Sequence, residues 1–386
     1  MHIVQVANYV TPTSGGQRLA LNSLAEQYLA HGHATTLVIP GAKKETHIEN
    51  NRKVVSLPGV PVPFSGGYRA IVRKEEMQQT LAELRPDVVE LSDKTTLSWV
   101  PQWCRNMGIP CVVFSHERAS EVVSERFPKW LPVSPVFRRW GENIEQHVDA
   151  IVCASKFSAE EYSQIQERVK VIPLGVDHEV FNPNASSALD QNTSALNTNA
   201  FTSACTSACT ILFAGRLSFE KRPHVVLLAA RTLHLRGVKA KFVIAGDGPM
   251  RRQLEAMADG LDVTFLGRIS SRQELATLMS SATLAIAPSP FETFGLSILE
   301  ILACGTPVVV ANAGAGMEIV NDQCGVIASP DGESMADAVE AMLQRDLSQV
   351  RKNCSARAAD FSWLIAGESM INLFTSLTRG QALWAA

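Results

Sequence analysis

Short apolar, β-branched runs alternate along the chain with longer segments whose apolar residues recur at helical spacing. In the first half the strand pattern falls at Ile3–Ala7, Thr35–Ile39, Val54–Leu57, Val88–Leu91, Cys111–Ser115, Ala150–Ala154 and Val169–Ile172. Helical spacing covers Arg18–Ala30, with Gly32 as its stop, and Arg69–Leu84. The rhythm repeats at Thr210–Ala214, Lys241–Ala245, Val263–Leu266, Leu284–Pro288 and Val308–Ala311. Continuous apolar strands separated by helices predict parallel sheets covered on both faces. Two such blocks predict an α/β protein of two doubly wound, Rossmann-like domains.

The break between the blocks is legible. After Pro173-Leu174-Gly175-Val176-Asp177 and Phe181-Asn182-Pro183 the chain turns rich in Ala, Ser, Thr and Asn, and residues 202–205 and 206–209 both spell T-S-A-C. Such a stretch cannot bury a core and is assigned no chemistry. The expected organisation is an N-terminal domain over 1–180, a linker and low-complexity insertion over 181–209, and a C-terminal domain over 210–360. A final segment, 361–386, contains the helix Trp363–Leu377 and is expected to pack back on the N-terminal domain.

Composition narrows the class only mildly. With 386 residues, 46% hydrophobic and 19% charged, the chain has the make-up of an ordinary globular protein of about two domains. A formal net charge of −3 gives no overall electrostatic case for nucleic acid. The eight cysteines form no C-x-x-C pair, and they are expected as reduced thiols in a cytosolic protein. The start of the chain reads as a strand rather than as a charged segment leading an apolar h-region. The expected location is therefore cytoplasmic, with any membrane contact peripheral, on the inner face.

Candidate chemistry is sought at the carboxyl ends of the strands, where doubly wound sheets bind ligands. Thr13-Ser14-Gly15-Gly16-Gln17 joins the first strand to the first helix, and Gly15 and Gly16 are either a tight turn or a loop whose N–H groups meet a phosphate. In Phe213–Pro223 a buried strand runs into a loop carrying Arg216 and Lys221, cations able to offset the charge of a departing diphosphate. The alternative is a solvated basic loop. In Pro288–Glu300 a strand ends, a loop carries Glu292, and a helix begins near Phe294 or Gly295. The first N–H groups, at Phe294, Gly295 and Leu296, form an anion site. A carboxylate beside that site makes sense if Glu292 accepts from sugar hydroxyls while the backbone takes phosphate. Glu300, two turns on, suits a ribose. The competing view is an ordinary acid satisfying a helix dipole.

At these residues a resemblance appears. Glu292 and Glu300 match the E-x7-E motif of retaining glycosyltransferases of family 4, which have the two-domain GT-B fold. The strings G-R-L-S-x-E-K-R-P, G-D-G-P, F-L-G-R, E-T-F-G-L-S-I-L-E and A-C-G-T-P-V-V, and the linker string P-L-G-V-D-x-x-x-F-N-P, occur in the family's order. The match spans nearly the whole chain and is weakest over 40–110 and 184–209. It implies two Rossmann-like domains facing across a cleft, with Arg216, Lys221, Gly15 and Gly16 on the donor diphosphate. It places Glu292 on the donor sugar, Glu300 on the ribose, and Gly267-Arg268-Ile269 against the base. His116 matches the family's histidine beside the transferred sugar. The loop S-G-G-Q departs from relatives that carry a small apolar residue after the glycines.

The resemblance further implies transfer of a hexose with retention and without a protein nucleophile. No D-x-D triplet occurs in the chain, and the nearest pattern, Asp331-Gly332-Glu333, reads as a surface turn, so no metal and no resident cofactor are expected. The S-H-E-R run and R-L-S-x-E-K-R-P most resemble bacterial α-mannosyltransferases that use GDP-mannose and build glycolipids. UDP-glucose or another hexose donor remains open. A lipid-linked acceptor would bring the enzyme to a membrane surface, for which Tyr68–Lys74, as the start of an amphipathic helix, and Arg126–Trp140 are candidates. Two other classes remain: a nicotinamide oxidoreductase, suggested by Gly246-Asp247-Gly248 but lacking the third glycine at Arg251, and a non-catalytic sugar-nucleotide-binding protein.

Overall fold

The computed structural model describes residues 1–8, 10, 15–62, 67–116, 144–185 and 209–382. Most of the 184–209 insertion and all of Arg126–Trp140 lie outside them. The chain divides into two compact units, Met1–Leu174 with Trp363–Ala386, and Gly175–Ser362.

The first unit is built on β1 (His2–Val6), β2 (Ala34–Gly41), β3 (Glu45–Glu49), β4 (Arg52–Pro58), β7 (Val88–Leu91), β8 (Cys111–Ser115), β9 (Ala150–Cys153) and β10 (Val169–Val171). Between them β5 (Val60–Pro61) and β6 (Arg69–Ala70) form a separate small hairpin. The sheet order is β10-β9-β8-β7-β1-β2-β4-β3, parallel throughout except for the edge strand β3. The order reverses between β1 and β7. Gln5 and Glu90 are register neighbours there, and both side chains are fully buried. Tyr28 Oη donates to Glu90 Oε2 at 2.9 Å and Gln5 Nε2 to Oε1 at 3.2 Å, while Arg52 donates to Gln5 Oε1 at 3.2 Å. These bonds fasten the helix Gly16–Ala30 to the sheet, since a buried polar group left unbonded is costly. Burial pushes the Glu90 carboxyl up to about 7, against the opposing bonds from Tyr28 and Gln5.

The C-terminal helix Trp363–Ala382 lies on the helix Gly16–Ala30. The Tyr28 and Phe374 rings meet edge to face at 5.6 Å. A Cβ on Gly367 would come within 2.4 Å of Gln27 Cβ, so the two helices approach where one of them has no side chain.

The second unit holds β11 (Thr210–Ala214), β12 (Lys241–Ala245), β13 (Val263–Gly267), β14 (Leu284–Ala287), β15 (Val308–Ala311) and β16 (Gly325–Ala328). All are parallel, in the order β13-β12-β11-β14-β15-β16. The reversal falls between β11 and β14, the position at which doubly wound sheets take ligands.

Two local expectations are corrected, and a third string finds a packing explanation. Tyr68–Lys74 does not open a helix: Arg69–Ala70 pairs with Val60–Pro61, the Ile71 N–H donates to Asn8 Oδ1 at 2.9 Å, and the helix begins only at Lys74. Asp331-Gly332-Glu333 is not a surface turn but a helix start. Asp331 accepts from the Ser334 N–H at 2.9 Å and caps Gly332–Leu343. The string Gly246-Asp247-Gly248 packs backbone on backbone. Leu217 N donates to Asp247 O at 3.0 Å, and the loop lies against Gly215 and Leu217. A Cβ on Gly246, where φ is +146°, would lie 1.8 Å from the Gly215 carbonyl oxygen, and one on Gly248 would lie 2.5 Å from that of Leu217. The glycines are therefore required by the close approach of two strand-end loops.

Gly246→Ala is thus expected to destabilise the second unit by on the order of 3 kcal/mol. Gly260→Ala, at φ +77° with open space around it, should cost only about 1 kcal/mol. Calorimetric melting of the two variants checks this, and equal losses in Tm would refute the close-packing account.

Candidate active site

The residues singled out in the second half converge on the β11/β14 reversal. After β11 the chain forms a short 3-10 turn, Phe219–Lys221, then passes through Arg222 at φ +49° into the helix Pro223–Leu235. After β14 the loop Pro288–Gly295 leads into the helix Leu296–Ala303. The loops are tied directly: Ser289 Oγ donates to the Glu220 carbonyl at 2.8 Å, and the Arg222 guanidinium lies 5.3 Å from the Phe291 ring centre. Lys221 Nζ meets Glu292 Oε2 at 2.5 Å. The side chains are 33% and 15% exposed, so the pair sits at the mouth of the reversal rather than in the core. Arg216 is exposed and has no ion-pair partner among the described residues.

Glu292 is held from behind. Its carbonyl accepts from the Ala315 N–H at 2.7 Å, and a Cβ on Gly314, at φ +84°, would come within 2.9 Å of the Pro290 carbonyl oxygen. The following helix starts one residue later than its sequence limit suggests. Gly295 is the N-cap at φ +100°, and the first internal bond runs from Leu299 N to Gly295 O at 3.0 Å. Leu296, Ser297 and Ile298 therefore supply the first-turn N–H groups. Phe294 is buried, its ring edge-on to Phe361 at 6.1 Å.

Glu300 is half-buried, and its carboxylate makes no hydrogen bond or ion pair among the described residues. Burial pushes its pKa up to about 7, Arg272 draws it down, and Asp177 raises it further. Arg272 is itself occupied, with Nη1 3.2 Å from Asp177 Oδ2 and the guanidinium over the Phe181 ring at 5.2 Å. Asp177 comes from the P-L-G-V-D string and Arg272 opens the helix Arg272–Ser281. Neither was singled out from sequence. Gly267 ends β13, two strands from β11, and Arg268 and Ile269 follow it. The Gly267 carbonyl is taken by the Gly246 N–H at 2.8 Å, and Arg268 is exposed.

In the first unit, Gly15 and Gly16 are exposed at the start of the helix Gly16–Ala30. Gly15 is its N-cap and no side chain caps it. His116 directly follows β8. Its ring stacks on Phe114 at 4.6 Å and its Nε2 lies 3.1 Å from Ser92 Oγ. Burial, with the charge of Lys94, pushes its pKa down to about 3, so the imidazole is neutral near pH 7. Ser92 and Lys94 also escaped sequence reasoning, although Ser92–Thr96 is a polar run directly after a buried strand, the same signal that exposed Arg216 and Glu292.

Comparison with known proteins agrees with this geometry. The pattern described as Glycosyltransferase Family 4 matches residues 14–180, and that of Glycosyl transferases group 1 matches 206–361. The "GDP-mannose-dependent alpha-(1-6)-phosphatidylinositol dimannoside mannosyltransferase" of Mycobacterium tuberculosis is 38% identical over 96% of this chain and 95% of that protein. The chain belongs to glycosyltransferase family 4. This family 4 glycosyltransferase is also 26% identical, over 83% of its length and 75% of the other's, to the "GDP-mannose-dependent alpha-mannosyltransferase" of Corynebacterium glutamicum. Its fold matches sucrose-phosphate synthase from Thermosynechococcus elongatus with a TM-score of 0.78, at 18% identity over 98% and 99% of the chains. It matches Anabaena HepE with 0.76, at 19% identity over 97% and 100%. The architecture is GT-B.

In the ligand-free glycosyltransferase the Glu300 carboxyl is expected to titrate near 7, followed by carboxyl 13C shifts with Glu300→Gln for assignment. Arg272→Met should move that titration up and Asp177→Asn should move it down. A Glu300 titration in the ordinary glutamate range of about 4, indifferent to both substitutions, would contradict the electrostatic account.

Proposed function

We propose that this glycosyltransferase moves α-mannose from GDP-mannose to a glycolipid acceptor, with retention at the anomeric carbon and without a metal. The observation that carries the donor and acceptor is the near full-length match to the mycobacterial phosphatidylinositol dimannoside mannosyltransferase. A mannosylated phosphatidylinositol is accordingly the first acceptor to assay. The likeness to HepE, at 19% identity, concerns the fold alone and does not favour a uridine nucleotide.

The chemistry is supported by the groups at the β11/β14 reversal. Arg216, exposed and without an ion-pair partner, and Lys221 are suited to the diphosphate, together with the first-turn N–H groups at Leu296–Ile298. Gly267–Ile269 keep the base contact, and Gly15 and Gly16 the phosphate contact, that the family motif implies, while Phe294 and Gly295 stand just before the first helical turn. Glu292 would accept from mannose hydroxyls once the phosphate draws Lys221 away, and Glu300 would accept from the ribose. In the reaction the C1–phosphate oxygen bond breaks and the acceptor oxygen bonds to C1 on the same face. The acceptor's proton passes to the departing phosphate. His116, neutral, is assigned to the transferred sugar. Fixed cations supply the charge stabilisation, which is the ground for proposing that no divalent ion is required. No described helix is long and apolar enough to cross a membrane. A phosphatidylinositol-linked acceptor like that of the mycobacterial relative supports a cytoplasmic enzyme that meets the inner membrane face peripherally.

With a panel of nucleotide sugars and a mannosylated phosphatidylinositol acceptor, turnover is expected with GDP-mannose and not with UDP-glucose. The opposite preference would replace the donor, and binding without turnover would favour a non-catalytic protein. Arg216→Ala and Lys221→Ala should each lower kcat/KM by on the order of 10² to 10³ while the fold persists. Wild-type turnover in either variant would remove it from the diphosphate site. Addition of EDTA should leave the rate unchanged, and its loss, restored by Mg²⁺ or Mn²⁺, would overturn metal independence.

A further inference from the structure

The loop Ser92–Thr96 of the first unit, at the β1/β7 reversal, has no role in what precedes. It is unusually well tied. Asp93, 4% exposed, accepts from the Thr95 N–H, from Thr95 Oγ1 and from Thr96 Oγ1, each at 2.7 Å, and from Asn8 Nδ2 at 2.9 Å. Asn8, fully buried, also grips the backbone of Ile71 through both its N–H and its carbonyl. Either side of Asp93, the loop then reaches towards His116 by two routes. Ser92 Oγ lies 3.1 Å from His116 Nε2, while the Ser92 carbonyl accepts from Gln17 Nε2 at 3.3 Å. Lys94 Nζ donates to Ser115 Oγ at 3.1 Å, Tyr162 Oη at 3.1 Å and Glu161 Oε2 at 2.5 Å, and Tyr162 Oη donates to Ser115 Oγ at 3.0 Å. Ser115 is the last residue of β8, immediately before His116.

We propose that Ser92 and Lys94 are positioning residues for His116: Ser92 fixes the imidazole from the side, and Lys94 fixes the strand end that carries it. The function assigned to them rests on the proposed contact of His116 with the transferred sugar. Three features make the arrangement more than packing. The ammonium of Lys94 has all its protons committed, so it is a rigid strut and not a free surface charge. Burial works against that charge, but Tyr162 and Glu161 outweigh it and keep the pKa above the ordinary lysine value. The imidazole is held on two sides at once, by the Phe114 face and by the Ser92 hydroxyl, which leaves its ring plane little freedom. Gln17, the residue by which the glycine loop departs from its relatives, attaches the start of the helix Gly16–Ala30 to the same serine. The start of that helix and the histidine are thereby indexed to one residue, Ser92, through its carbonyl and its hydroxyl.

The test uses the full-length enzyme with GDP-mannose and the glycolipid acceptor. Ser92→Ala should lower kcat about tenfold, as loss of alignment at a reacting centre does, with KM for GDP-mannose within about twofold of wild type. Ser92→Thr, which keeps the hydroxyl, should recover most of that loss. Lys94→Met, if it folds, should repeat the kcat loss without a KM change, and the serine pair decides the matter if it does not. Independently of activity, the 15N signals of His116 in the ligand-free protein should shift in Ser92→Ala and return in Ser92→Thr. An unaltered His116 signal in Ser92→Ala, or a threonine variant no better than alanine, would overturn the proposal. His116→Ala separates the layers. If it is inactive while Ser92→Ala is fully active, positioning fails and the sugar contact stands. If it is fully active, the sugar contact fails and the 15N signals alone decide whether Ser92 holds the ring.

Discussion

The reversal of strand order between β11 and β14 is the constraint on which the second unit's chemistry depends. Chain leaving β11 turns to one side of the sheet and chain leaving β14 to the other, so the loops after them flank a gap that no crossover helix covers. Everything chemically notable in that unit is an answer to this opening. The loops after β11 and β12 close upon each other through Gly246 and Gly248, which bring backbone to within van der Waals contact of backbone. That closure fixes the height at which Arg216 and Lys221 leave the strand. The loop after β14 is braced in turn by Gly314 and by the Ala315–Glu292 bond. Opposite charges then meet there as the ion pair of Lys221 and Glu292.

The two glutamates of the motif live in different electrostatic conditions although they stand eight positions apart. Glu292 faces a cation at 2.5 Å. Glu300 makes no ion pair among the described residues, and the guanidinium that acts on it, that of Arg272, is bonded to Asp177. A paired carboxylate such as Glu292 gives one oxygen to its cation and can accept from a neutral hydroxyl with the other. An unpaired, half-buried one is poised to accept at once, provided it is ionised, which ties its usefulness to pH near neutrality.

Much of this was legible in the residues, and the rest was hidden for definite reasons. Strands such as L-A-I-A and V-V-V-A announce themselves because both faces are buried, and their carboxyl ends then locate the polar loops. The edge strand Glu45–Glu49 did not, since E-T-H-I-E is exposed along most of its length and pairs antiparallel through backbone alone. The helix at Lys74 begins late because Asn8, distant in sequence, takes the Ile71 N–H, a tertiary claim no local pattern carries. Glycines 246 and 248 looked like a nucleotide turn, because sequence shows that a position is glycine but not which backbone crowds it. Arg272 and Asp177 each lie in an ordinary context, one opening a helix and one in a linker, and only the fold brings them beside Glu300.

The first unit repeats the reversal with the opposite electrostatic solution. At β1/β7 the polar groups are numerous but mutually satisfied: Asp93 is saturated by the loop's own donors and Asn8, and Lys94 spends its protons on Glu161, Tyr162 and Ser115. A cation committed in this way stabilises geometry and contributes little to charge that develops on a substrate. Arg216, exposed and unpaired among the described residues, has the contrary properties, with freedom to reorient and a guanidinium able to meet two oxygens at once. Of these two cations, then, Arg216 keeps the freedom that its proposed diphosphate role requires, while Lys94 is committed to Glu161, Tyr162 and Ser115. One polypeptide thus carries both kinds of reversal, one of committed groups and one with a guanidinium unpaired among the described residues, on two sheets of the same doubly wound design.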